Sequence, residues 1–287
     1  MQRVKPSNER LVEIDILRIM TTTLVIIGHS AYYQIVTPYG GVNYDEIMFA
    51  NEIGWTQFHK LMLYIFNVIY SFHMPLFFAI SGVSFNICNE KGKYKTIQTV
   101  ILDKCRRLVI PYIEITLFYS CTFKYLGGYW TNSQLSSIDG IWTYIIEGQL
   151  LLKGNNYLWF LEALFIITIA IYCLEQTIQN QHSFFKVFIL FIISLLRFSC
   201  NSPLLFSAME NAIWFYFGYL WYPHRSECKT LFEKQKYLPF VTLIILMLCP
   251  KLIIVKNTLK EPLYYISIVS GIAFMYSLAL RVVNCLP

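Results

Sequence analysis

The sequence predicts an all-α, polytopic integral membrane bundle of about eight transmembrane helices, and three observations carry that prediction. Of the 287 residues, 56% are hydrophobic and only 14% charged, against about 25% charged in ordinary soluble domains. Mean hydropathy is +0.49. Runs of roughly 20 mostly apolar residues, the length a helix needs to cross the hydrocarbon core, recur along the whole chain. The aromatic content of 17%, with only 13 Gly and 10 Pro, excludes a disordered tail or a collagen, and the charge content excludes a soluble enzyme. Lipid tolerates no irregular backbone facing hydrocarbon, so a chain of this kind folds as packed helices.

The first span is expected near 14–36. It follows the polar segment MQRVKPSNERLVEID, which has no small-residue cleavage site, so it should act as an uncleaved anchor rather than a removed signal peptide. The second, near 61–87, exceeds a straight crossing at ~1.5 Å per residue, and Pro75 within it predicts a kink. The third, 108–126, starts directly after a cationic stretch. The remaining spans are expected near 157–175, 184–200, 203–222, 237–255 and 262–285. No fixed-period repeat or low-complexity linker interrupts them, so residues 1–287 read as one domain.

Charge sets the orientation. The net charge is +6, but the cations sit in short loops rather than on a nucleic-acid-binding face. Lys91, Lys93, Lys95, Lys104, Arg106 and Arg107 cluster in one, and Arg225, Lys229, Lys234 and Lys236 in another. Both fall in the cytoplasm if the N-terminus is cytoplasmic, as the positive-inside rule requires. The expected outer loops, 37–60 and 127–156, carry mostly acids. The eight cysteines show no C-x-x-C spacing and read as free packing thiols, with no metal site expected.

An ionisable group inside a bilayer is costly, so each one is a site candidate. The first span holds Asp15, Arg18 and His29. Eleven steps of about 100° bring His29 to within roughly 20° of the Arg18 face, and ~1.5 Å per residue separates them by about 16 Å along the axis. That suits a long ligand with an anionic part at Arg18 and a reactive end at the imidazole. The competing reading has Arg18 snorkelling to the interface and His29 bonding a neighbouring helix. Asp15, one turn from Arg18, forms a salt bridge under either reading.

Four segments stand in order: R-x10-H at Arg18 and His29, FHMPLFFAISGVSF at 72–85, RRLVIPY at 106–112 and YLWFLEALF at 157–165. Together they make the chain resemble the membrane-bound acyltransferase family 3, with a closer likeness to its bacterial sugar O-acetyltransferases of the fucose acetyltransferase type. The likeness covers about residues 9–222. It implies an enzyme of the bacterial inner membrane that moves an acyl group, most often acetyl from acetyl-CoA, to a hydroxyl of a cell-surface or lipid-linked glycan, as in exopolysaccharide or O-antigen modification. No permanently bound cofactor is implied. By the same resemblance Arg18 and His29 are the essential first-helix pair, Ser81, Gly82 and Phe85 match an S-G-x-x-x-F element, and His73 lies in a segment typical of the sugar subset. The family's R-x-x-R element is imperfect here. Lys104 and Arg107 have its separation, and Arg106 is an additional cation.

Physical chemistry gives these residues roles beside bland alternatives. Lys104, Arg106 and Arg107 suit the phosphates of coenzyme A, while Lys91, Lys93 and Lys95 read as topology signals. A neutral imidazole can take the proton of an attacking hydroxyl, and a covalent acyl-histidine is also chemically open. Ser81 lacks the elbow of a nucleophilic serine and reads better as half of a small Ser-Gly pair for close helix approach. His73 reads equally as acceptor contact or interfacial residue. Glu162 pairs with a cation of another helix or relays protons. Trp130, Trp142 and Tyr129 suit sugar stacking or an aromatic belt. The family usually has about ten spans, so the chain is expected to be C-terminally short or divergent. A carrier for a polyprenyl-linked sugar or another anionic lipid is the competing function, with Arg18 and His29 as its polar path.

Overall fold

The computed structural model describes residues 11–30, 34–37, 40–43, 53–126, 137–143, 145–146, 158–255 and 259–285. In chain order they form α1 (Val12–Ser30), a hairpin of β1 (Gln34–Thr37) and β2 (Gly40–Asn43), and α2 (Ile53–Glu90). Next come α3 (Ile97–Lys104), a π-helical stretch Cys105–Val109, α4 (Ile110–Glu114), a second π-helical stretch Ile115–Cys121, and α5 (Thr122–Leu126). Then follow α6 (Ile138–Thr143), α7 (Trp159–Thr177), α8 (Ser183–Leu196) and α9 (Pro203–Trp221). The last three are α10 (Arg225–Lys234), α11 (Leu238–Val255) and α12 (Lys260–Cys285). Among the described residues the architecture is helical apart from the antiparallel pair β1–β2, in which Thr37 faces Gly40.

Among the described residues three helices are long and apolar enough to cross a bilayer: residues 60–90 of α2, α7 and α12. A shorter apolar stretch, Leu238–Pro250, lies in α11. The other expected spans differ for local reasons. Helix α1 carries Glu13, Asp15 and Arg18 in its first two turns. Helix α8 has 14 residues, or ~21 Å of rise. The third expected span is helical from further back, because Thr96 caps α3. Its hydroxyl accepts from the Thr99 amide while Thr99 returns the bond to the Thr96 amide, a reciprocal capping box. Lys104, Arg106 and Arg107 are thereby helical rather than in a loop. The π-helical stretches on either side of α4 re-aim the side chains that follow them.

Residue contacts divide the chain into two compact units. The first comprises 1–32, 51–91 and 214–287, and the second 33–50 and 92–213. In the first, α12 packs against α11, α2 and α1 over a core that includes Leu17, Phe72, Leu76, Ile80, Met275 and Leu280. Lipid is as apolar as these side chains, so close van der Waals fit rather than burial from water holds such helices together. Small residues supply that fit. A Cβ on Gly82 would lie 1.9 Å from the Phe215 carbonyl oxygen, and one on Gly218 1.8 Å from that of Ala79. The backbones of α2 and α9 therefore touch there. Helix α2 is 38 residues long and runs through Pro75, and a Cβ on Gly271 of α12 would strike the Phe72 ring at 2.2 Å.

In the second unit α7 packs against α3 and the first π-helical stretch. Two ion pairs join successive helices: Lys186 Nζ to Glu175 Oε2 at 3.0 Å, and Arg197 Nε to Glu210 Oε1 at 3.6 Å, with both cations buried. Glu210 and Arg197 thereby neutralise each other. The Arg197 guanidinium also lies 4.1 Å above the Phe198 ring, where the ring face attracts a cation.

Candidate functional site

Helix α1 presents Arg18 in a clamp. One terminal nitrogen donates to the Asp15 carboxylate at 3.4 Å and the other to Ser84 Oγ of α2 at 3.2 Å. Ser84 itself donates to the Ile80 carbonyl at 3.0 Å, which fixes its oxygen as an acceptor for Arg18. The guanidinium stays 49% exposed, so its orientation is held while donors remain for a ligand. Ser84 was not singled out from the sequence. Its signal was present in ISGVSF, where Ser84 follows Ile80 by about one helical turn. His29 follows on α1, whose helix extends to Ser30. The His29 side chain lies outside the described residues. Preceding it, Gly28 is buried, with the Tyr70 ring 3.4 Å from where its Cβ would stand.

The remaining motif residues of α2 face inward. Phe85 is fully buried against Phe215 and Tyr219, with ring centroids 5.7 and 6.1 Å away. Asn86, one residue on, donates to the Tyr219 carbonyl at 2.7 Å. Ser81 is half-buried beside Gly82, whose contact with α9 has been described. His73 is 2% exposed, its Nδ1 lies 2.9 Å from the Ile69 carbonyl, and its ring packs edge-on to Tyr70 at 4.9 Å. An Nδ1–H donating to that carbonyl leaves Nε2 as the basic nitrogen. The apolar residues between these positions wall a cavity of about 180 Å³ in the first unit, with Leu17, Ile80, Trp221, Cys228 and Phe232 among its lining.

Cys228 lies on α10, an amphipathic helix where sequence reading placed a basic loop. Burial and the neighbouring Glu227 carboxylate push its thiol above the ordinary range. The neutral thiol is the unreactive form. Alkylation of Cys228 is therefore expected to be slow at pH 7 and to accelerate only as pH rises past the usual thiol range. Mass-spectrometric labelling rates across a pH series check this.

The cations of the second unit are organised by an acid that was not singled out. Asp103 Oδ1 lies 2.5 Å from Lys93 Nζ and 3.0 Å from Arg107 Nε, and its Oδ2 accepts from the Tyr94 hydroxyl at 2.8 Å. Burial works to raise the Asp103 carboxyl, but the bonds from Lys93 and Tyr94 and the charges of Lys93 and Arg107 outweigh it. The carboxyl is held below its usual value. A depressed folded value means the carboxylate supports the fold above the unfolded value, near 3.9, and is lost only as pH falls through the lower folded one. Lys104 Nζ lies 5.8 Å from the Tyr94 ring centroid, and Arg106 is exposed. Lys93 thus belongs with Arg107 in one network, where the sequence offered only a topology signal.

Glu162 meets no cation in the described structure. It hydrogen-bonds the Tyr112 hydroxyl, so RRLVIPY and YLWFLEALF converge through their polar residues. Both line a cavity of about 420 Å³ with Phe165, Leu161 and Leu204. Its mostly apolar wall with a few convergent polar groups has the character of a small-molecule site. Trp142 is exposed, while Trp130 and Tyr129 lie outside the described residues. Among the described residues no three His, Cys, Asp or Glu side chains gather as metal ligands.

Comparison with known families gives a match. A family model for an acyltransferase domain covers residues 11–284, nearly the whole chain. No curated protein and no solved structure matches the sequence.

Proposed function

The chain belongs to acyltransferase family 3, and from that membership we propose a membrane-embedded O-acetyltransferase. It would move acetyl from acetyl-CoA to a hydroxyl of a cell-surface or lipid-linked glycan. The supporting observation is the clamped, half-exposed Arg18 on the helix that carries His29 eleven residues further on. The coenzyme's phosphates are taken by the cations of the second unit, Lys104, Arg106 and Arg107, by charge-assisted bonds that are strongest to guanidinium. Eight spans with a cytoplasmic N-terminus in the bacterial inner membrane put these cations where acetyl-CoA is made.

In the reaction, neutral His29 takes the acceptor hydroxyl's proton as that oxygen attacks the thioester carbonyl carbon. The tetrahedral intermediate collapses to the new ester and expels coenzyme A as a thiolate. The imidazolium then returns the proton to the sulfur. Ser81, Gly82, Phe85 and His73 support α2, which in turn holds Ser84 against Arg18.

The test supplies radiolabelled acetyl-CoA to membranes carrying the chain and measures label in total glycan. Label in glycan, lost in Arg18→Ala, is the expected result. Membranes that transfer none, at confirmed expression, sink the reading. A second expectation concerns the clamp on Arg107. Asp103→Asn releases Arg107 Nε and should raise KM for acetyl-CoA by up to about fivefold with kcat little changed, as suits an exposed ion pair. An unmoved KM removes Arg107 from the donor site.

A further inference from the structure

Helices α11 and α12 form a hairpin whose cationic end is closed by a hydrogen bond from the Arg281 guanidinium to the Lys236 main-chain carbonyl, at 2.9 Å. Beside that bond lies a cavity of about 100 Å³. Buried Pro239, Ser277 and Leu280 form its floor, and exposed Lys236, Arg281 and Glu233 its rim. The Arg281 guanidinium stands 6.0 Å from the Phe240 ring centroid. From that ring an apolar row continues along α11 through Val241, Ile244, Met247, Leu248 and Leu252, all exposed. Their spacing of 1, 4, 7, 8 and 12 residues after Phe240 keeps them on one helix face.

The row is ~18 Å long at 1.5 Å per residue, close to the ~15 Å depth of one leaflet's hydrocarbon. A face this apolar on a membrane helix meets lipid tails. At its head are two cations and one acid, joined to it without a gap at Phe240. Arginine and lysine hold a phosphodiester by charge-assisted bonds, and the guanidinium has four further N–H donors after the one spent on Lys236. Glu233 on the same rim repels a second anion and attracts an ammonium group. Basic pockets at the cytoplasmic ends of spanning helices are a recurring form of lipid headgroup site.

We propose that this end of the hairpin binds one phospholipid with an amine-bearing headgroup, of the phosphatidylethanolamine type. Arg281 and Lys236 take the phosphate, Glu233 takes the ammonium, and the acyl chains lie along the Phe240–Leu252 row. The site uses none of the residues assigned to acyl transfer, so it stands whether or not that reading does.

The test uses the full chain in nanodiscs holding equal phosphatidylethanolamine and phosphatidylglycerol, with retained lipid counted by native mass spectrometry. Wild type should retain one phosphatidylethanolamine per chain in preference to phosphatidylglycerol. Lys236→Gln keeps the carbonyl that Arg281 bonds, so the hairpin end stays closed, and it should lower retention about fivefold, as expected for one cation at a membrane surface. Glu233→Gln should abolish the preference between the two lipids, and Lys260→Gln, at the opposite end of α12, should behave as wild type. Three results overturn the proposal: no preference in wild type, undiminished retention in both Lys236→Gln and Arg281→Gln, or displacement of the lipid by millimolar inorganic phosphate. The last would mark a site for free phosphate only.

Discussion

Replacing His29 by alanine is expected to reduce acetyl transfer by about 10²- to 10⁴-fold, the range that a positioned general base contributes. Binding of acetyl-CoA should survive, because the proposed phosphate contacts are made by Lys104, Arg106 and Arg107 and not by the imidazole. The comparison to make is wild type against His29→Ala at matched expression, with donor binding measured separately from label transfer. A variant that binds donor and transfers nothing assigns the proton step to His29. Transfer at the wild-type rate moves the base elsewhere. Hydroxylamine-sensitive label trapped on the protein would point to an acyl-histidine instead.

Gly82→Val is expected to be the most disruptive substitution outside that pair. The first side-chain carbon alone arrives 1.9 Å from the Phe215 carbonyl oxygen and 2.9 Å from the Tyr219 amide nitrogen. Both obstacles are backbone, so no rotamer change relieves them, and α2 and α9 must separate. Overpacking of a close contact costs about 1–3 kcal/mol or more, and the displaced helix carries Ser84, Phe85 and Asn86 with it. Loss of the monodisperse peak in detergent and of transfer activity together is the expected outcome. Gly218→Val attacks the same contact from the other side, so the double variant should fall short of the sum of the two. Gly92 is the contrast. It has φ +72° and nothing within 4 Å of a Cβ, so Gly92→Ala should cost only about 1–2 kcal/mol of left-handed backbone strain, and a melt as low as that of Gly82→Val would show that helix contact is not what sets the larger effect.

Hydropathy and single-helix geometry made part of this legible in advance. The three helices apolar and long enough to cross a bilayer and the Arg18–Asp15 pair follow from residues near one another in the chain. What escaped sequence reading depends on partners far apart. Ser84 matters because Arg18 reaches it from 66 residues away. Asp103 draws Lys93 into a network with Arg107, although Lys93 precedes the helix cap and Arg107 follows it by almost three turns. The Tyr112–Glu162 bond joins two motifs whose polar residues gave no hint of facing each other. The π-helical stretches and the helical state of Arg225–Lys234 turn on a residue or two of backbone register, below what apolar periodicity resolves.

The first compact unit is assembled from three separated pieces of sequence, and this has a consequence in time. On the ribosome α1 and α2 emerge early, yet Trp214–Pro287, which completes their packing, follows only after a further ~120 residues, roughly 6–24 s at ordinary elongation rates. During that interval the Ala79–Gly82 face of α2 has no Gly218 to meet. Nascent chains stalled before residue 214 should therefore be cleared by membrane proteases, while chains stalled shortly after Trp221 should begin to persist. The close α2–α9 contact at Gly82 and Gly218 would then serve as the point at which synthesis commits to a finished protein.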